Sequence, residues 1–321
     1  MQTTRGIFGS WENPKIIYIT GAEPKVPDEI MERLQRRNWH ISMTTNNIRS
    51  GFKALYEKKG SVLLVEDSPD LPAVFTLRNQ VADPLAILTP TMVVCAEDNA
   101  ATKTCLKEMG TPELIDAPMQ PAIFIESLEF LLRRWSQGQL RKLTETKALL
   151  LKRKPGEAVK ILTEVAGTHE IIPLAVPCLR HFIRKQADAK AVEKVLLNAL
   201  REHPRNLGVI IVLVDFYLKA AMPETALKII EATRKNHDDP QVIVPEQIQA
   251  LLMLNRVNEC IPLLQAMRAA NFMPQVASKF LMRCLLAEGY NRRFEQLAAM
   301  DRHSIEQYQQ DWSKHQLNQS A

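Results

Sequence analysis

Side chains able to ligate a metal or act as nucleophiles are thinly spread along this chain. The five cysteines, at 95, 105, 178, 260 and 284, are never closer than ten residues. They form no CxxC pair for a zinc ribbon, and their odd number gives no disulfide framework. Reduced thiols in a cytoplasmic protein are expected. The seven histidines, at 40, 169, 181, 203, 237, 303 and 315, show no i, i+4 spacing with one another or with cysteine, so no metal site is expected. Glycine lets backbone amides close around a phosphate, but there are only 11 in 321 residues, and neither GxGxxG nor GxxxxGK[ST] occurs. GxSxG and HExxH are missing too. These absences predict a non-enzymatic chain with no cofactor. Chemistry is left to carboxylates that follow apolar runs: Glu66, Asp67 and Asp70 after Leu63-Leu-Val65, and Asp116 after Leu114-Ile115.

The elements that must position those carboxylates are legible up to about residue 135. Short apolar runs (Lys15–Thr20, His40–Thr44, Ser61–Val65, Met92–Cys95, Glu113–Asp116) alternate with helix-like stretches at 27–38, 47–59, 70–82, 99–109 and 121–135. A buried strand followed by a helix, five times over, predicts a parallel sheet covered on both faces. Right-handed crossovers make this a doubly wound (βα)5 domain over 1–136.

Beyond residue 139 the strand signals stop and a repeat of 34 residues takes over. One column reads Leu149, Ile183, Tyr217, Leu251, Leu285, and its neighbour Ala148, Phe182, Phe216, Ala250, Cys284. In a second helix the columns are Ala158, Val192, Ala226, Cys260, Phe294; Ile161, Val195, Ile229, Leu263, Leu297; and Leu162, Leu196, Ile230, Leu264, Ala298. All are apolar or small, which predicts an α-solenoid of about five helix pairs over 139–302. A polar capping helix and tail are expected over 303–321. The period, with Pro204 closing a second helix and Tyr217 and Ala226 at the aromatic and small positions, resembles the tetratricopeptide repeat. The bulky Trp and small Gly of that repeat's first helix are replaced by Ile210 and Val214 in the third unit.

The (βα)5 half resembles the receiver domain of bacterial response regulators. Leu63-Leu-Val-Glu-Asp-Ser-Pro69-Asp70 matches that family's third strand and loop proline, and Asp116-Ala-Pro-Met119 the end of its fifth strand. Receiver chemistry requires an acidic pair for Mg²⁺, an Asp acceptor, a Thr or Ser, and a Lys. Carried across, the acidic pair falls on Thr20 and Gly21 and the acceptor on Val65. The hydroxyl position falls on Cys95 and the Lys position on Ala117. The resemblance therefore implies a degenerate pseudo-receiver that cannot be phosphorylated at the usual site. The alternative is a response regulator phosphorylated in a shifted register, on Asp67 or Asp70 (or Glu66).

Charge divides with the two halves. Residues 1–135 carry 15 Lys/Arg against 17 Asp/Glu, and residues 136–321 carry 26 against 19. A nucleic-acid-binding regulator using the basic repeats is a second alternative. Scattered charges and 6% aromatic residues favour a solvated surface or an acidic protein partner instead. The tetratricopeptide resemblance implies a groove lined by Lys147, His181, Asp215 and Gln249, with Arg184, Lys185 and Lys219 beside them. The expected function is a cytoplasmic bacterial signalling scaffold that binds protein or peptide partners. A homodimer through the receiver-like half is a further possibility, and no stretch is apolar enough to span a membrane.

Overall fold

Five apolar runs become the strands of one parallel sheet: β1 (Lys15–Ile19), β2 (His40–Thr45), β3 (Ser61–Glu66), β4 (Thr91–Ala96) and β5 (Glu113–Ala117). In this computed structural model the described residues are 11, 13–21, 26–57, 61–96, 100–110, 112–166, 171–183, 189–237, 240–269, 277, 278, 280, 281 and 284. The strand order is β2-β1-β3-β4-β5, the flavodoxin-like arrangement. The central strands β1, β3 and β4 are buried nearly throughout, while the edge strands β2 and β5 are partly exposed. That is why the central runs read as continuous Ile, Leu and Val rather than as alternation. Ile19 pairs with Val65, Val65 with Val93, and Cys95 with Asp116, so the carboxyl ends of these four strands finish along one edge.

The crossover helices are α1 (Asp28–Gln35), α2 (Ile48–Glu57), α3 (Ala73–Ala82), α4 (Ala100–Met109) and α5 (Pro121–Trp135). They fall inside the predicted stretches. Among the described residues eight further complete helices follow: α6 (Gly138–Leu151), α7 (Pro155–Val165), α8 (Ile172–Ile183), α9 (Ala189–Glu202), α10 (Leu207–Lys219), α11 (Pro223–Asn236), α12 (Val244–Met253) and α13 (Val257–Ala269). The even-numbered partners α8 and α10 are apolar on every side over 171–179 and 207–214, and those segments are fully buried. The odd-numbered helices α7, α9, α11 and α13 are amphipathic and begin at 155, 189, 223 and 257, at intervals of 34.

Burial follows the same period. Ala158, Val192, Ala226 and Cys260 are all buried, as are Leu162, Leu196, Ile230 and Leu264. A column that sequence reading passed over, Val165, Ala199, Thr233 and Met267, is equally buried. The Ile161, Val195, Ile229 and Leu263 column is half-buried in every unit. The expected fifth unit from 285 onward, with Phe294, and the tail at 303–321 lie outside the described residues.

The turn inside a helix pair also recurs. Arg153, Ala221 and Asn255 have φ of 59°, 55° and 58°, in the left-handed region. After each of them, the next amide closes the preceding helix: Lys154 N–H donates to the Leu149 carbonyl, Met222 to Tyr217 and Arg256 to Leu251. This six-to-one bond is the Schellman closure, whose left-handed position usually holds glycine.

The chain folds as two compact units, Met1–Phe216 with Glu231–Val242, and Tyr217–Ile230 with Ile243–Ala321. The first therefore runs well past residue 136. Its helices grip the α/β layer through the loop between α3 and β4, where residues 85–90 are all buried. Cys178 Sγ of α8 donates to the Pro84 carbonyl at 3.4 Å. Glu108 of α4 accepts from Arg205 at 2.8 Å and meets His237 Nδ1 at 2.7 Å. Gly138 opens α6 with φ of +53°. Trp135 just before it is buried, and its carbonyl accepts a bond from the Thr144 hydroxyl.

Candidate functional site

The carboxyl edge of the sheet is built by strand alternation. Tyr18 and Thr20 lie two residues apart and so share a face, and the register Tyr18 with Leu64 brings Glu66 level with them. Both hydroxyls donate to Glu66 Oε2, Tyr18 at 2.5 Å and Thr20 at 2.7 Å. Burial, and then the Glu66 carboxylate it bonds, push the Tyr18 phenol above its ordinary range. Gly21 follows where the β1 and β3 loops nearly touch. A Cβ there would stand 2.3 Å from Ser68 Oγ and 3.1 Å from the Leu71 amide, so a larger residue would push the loops apart.

The other carboxylates are engaged as well. Asp67 Oδ1 accepts the Ala73 amide at 2.8 Å, capping the start of α3. Burial raises the Asp67 carboxyl, and the Ala73 bond opposes that rise. Asp116 pairs with Lys103 of α4 at 2.5 Å. Asp70 is exposed.

The expected degenerate positions divide into two kinds. Thr20, Gly21 and Ala117 stand at the strand ends, where receiver-type groups are expected. Val65 is fully enclosed, and Cys95 is 1% exposed with its thiol raised chiefly by burial. Cys95 Sγ has a weak contact with the Ile115 carbonyl at 3.9 Å. Among the described residues no three His, Cys, Asp or Glu side chains converge to hold a metal. Beside this edge, β5 and the start of α5 enclose a cavity of about 250 Å³ lined by Leu114, Asp116, Ala117, Gln120, Phe124 and Ser127.

Sequence reading missed Tyr18 and Lys103. Tyr18 was legible as the one polar tip in an isoleucine-rich strand, two residues before Thr20. Nothing in the sequence marks Lys103 as the partner of Asp116, because α4 and β5 meet only in the fold.

Of the expected groove residues, Lys147 does not reach an open surface. Lys147 is 4% exposed, and its amine donates to Thr89 Oγ1 at 2.7 Å, so it faces the α/β layer and not an open groove. It follows Leu143 by one helical turn, on the face that packs inward. His181 is half-buried on α8, and Asp215 of α10 forms an ion pair with Arg180 beside it. Lys219 and Gln249 are exposed side chains of the second unit. Arg184 and Lys185 lie outside the described residues.

Against known protein families, curated proteins and solved structures, the chain finds no match.

Proposed function

We propose that this chain is a non-enzymatic adaptor of bacterial cytoplasmic signalling, a pseudo-receiver layer joined to a tetratricopeptide-like scaffold that binds protein partners. The observation that carries the reading is how the carboxylates at the sheet's carboxyl edge are used. Glu66 is held by two hydroxyls, Asp67 caps a helix and Asp116 pairs with Lys103, so each serves the fold. The 34-residue recurrence of helix starts, buried columns and left-handed turns supports the scaffold half. The partner surface is assigned to exposed repeat residues, among them Lys219 and Gln249, and not to Lys147. The basic excess of the repeats favours an acidic partner segment.

Two measurements test this. Intact mass after acetyl phosphate and Mg²⁺ is expected to stay unchanged; an added phosphoryl group on Asp67 or Asp70 would replace the adaptor with a phosphorylated regulator. Affinity capture with the native chain and with Lys219→Glu is expected to give protein partners whose yield falls in the variant. Equal yields from both would remove Lys219 from the binding surface. Salt-sensitive nucleic-acid shifts without any protein partner would favour the nucleic-acid reading.

A further inference from the structure

The polar cluster at the amino end of the sheet serves no part of the adaptor reading. Lys147 sits there on α6, pressed against the loop that enters β4. Its single hydrogen bond among the described residues goes to Thr89 Oγ1, whose own proton goes to the Leu85 carbonyl at 2.8 Å. A neutral amine is satisfied by that arrangement. An ammonium has three protons to place and finds one acceptor.

We propose that Lys147 is a proton-sensitive seat between the helices and the α/β layer, holding α6 on the α3–β4 loop when neutral and loosening it when protonated. The groups around it leave it no counter-ion. Asp83, at the start of that loop, attracts the charged form without forming an ion pair with it. Its Oδ1 is taken by the Leu85 and Ala86 amides at 2.9 and 2.8 Å, and its Oδ2 by the Tyr56 hydroxyl of α2 at 3.1 Å. Cys178, facing from α8, is a neutral thiol raised by burial and then by Asp83. Burial accordingly holds the amine at about 7, against an ordinary 10.5, and the attraction of Asp83 only partly opposes this.

The direction follows from linkage. Between those two values the opened state binds a proton that the seated state does not, so opening grows as pH falls. The change is about tenfold per pH unit above 7, and it levels off below 7, where both states are protonated. The seat is therefore tight in mild alkali and weakest from neutrality downward.

Hydrogen exchange of the full chain tests the idea, with intrinsic rates corrected for pH. Protection of residues 83–90 and 143–150 is expected to fall about a hundredfold from pH 9 to pH 7 and then stay level. Lys147→Met is expected to keep high protection across the range. The same profile in the variant, or a flat one in the native chain, would overturn the proposal. Should the variant fail to fold, NMR titration of labelled lysines in the native chain decides: one amine titrating near 7 supports the seat, and all titrating near 10 rejects it.

Discussion

The two ends of the parallel sheet handle polar groups in opposite ways. At the carboxyl edge, Glu66, Asp67 and Asp116 are half-buried or exposed, and each is answered by a neighbour on the same layer. At the amino end, the α3–β4 loop is buried beneath helices, and Lys147 enters it from α6 with one partner. A group satisfied close to solvent can change without disturbing distant packing. A group enclosed between layers ties its charge state to whether those layers stay together. The sheet thus satisfies the carboxylates of its open edge locally and places its costly polar contact at the seam.

The contrast is sharpest for Lys147→Met, the largest effect expected. At pH 7 the folded chain holds this amine at about 7 where 10.5 is ordinary, which costs roughly 3–5 kcal/mol. Methionine fills the same space without that cost, so the variant is expected to be more stable by about 3 kcal/mol in denaturant unfolding. A loss of stability would show that the Thr89 bond outweighs desolvation and would erase the difference between the two ends.

The pH profile of the native chain comes next. Lys147 has its folded value lowered, so its contribution improves as pH rises from 7, by about 2–3 kcal/mol over two units. Cys178 has its folded value raised from 9.0, and Tyr56 is pushed up from 10.0 to about 12. The unfolded chain releases those protons first, so both groups lower stability above about pH 9. A maximum near pH 8–9 is expected in thermal unfolding, and Lys147→Met should flatten its acid side and steepen the loss above pH 9.

Glu66→Ala probes the other end with a smaller effect. It leaves the Tyr18 and Thr20 hydroxyls without their shared acceptor, and Thr20 is only 1% exposed. A loss of about 1–3 kcal/mol is expected. Glu66→Gln keeps an oxygen in place and should recover most of it. A loss from Ala above that of a typical buried-core truncation would mean that the fold depends on the carboxyl edge as much as on the seam.

How much of this was legible depended on the range of the interactions. Strand runs and repeat columns are set by local periodicity, so β1 to β5 and the 158 and 162 columns could be read directly. Lys147 could not. Its repeat position resembles a groove site, but the side chain meets Thr89, 58 residues earlier in the chain, and only the docking of α6 on the α3–β4 loop makes it interior. Arg180 and Asp215, or Lys103 and Asp116, likewise meet only after helices and strands have packed.

The scarcity of glycine carries the smallest prediction. With only 11 glycines in the chain, Arg153, Ala221 and Asn255 occupy the left-handed positions where glycine is usual. A side chain there costs roughly 1 kcal/mol, least for asparagine, which tolerates that region. Ala221, like Arg153, has neither glycine's freedom nor asparagine's local hydrogen bonding, and its side chain lies on the surface. Ala221→Gly is therefore expected to stabilise the helix pair by about 0.5–1 kcal/mol, offset in part by the greater entropy of glycine in the unfolded chain. The same change at Asn255 should gain less. Equal gains at both positions would mean that asparagine carries the same left-handed strain as alanine.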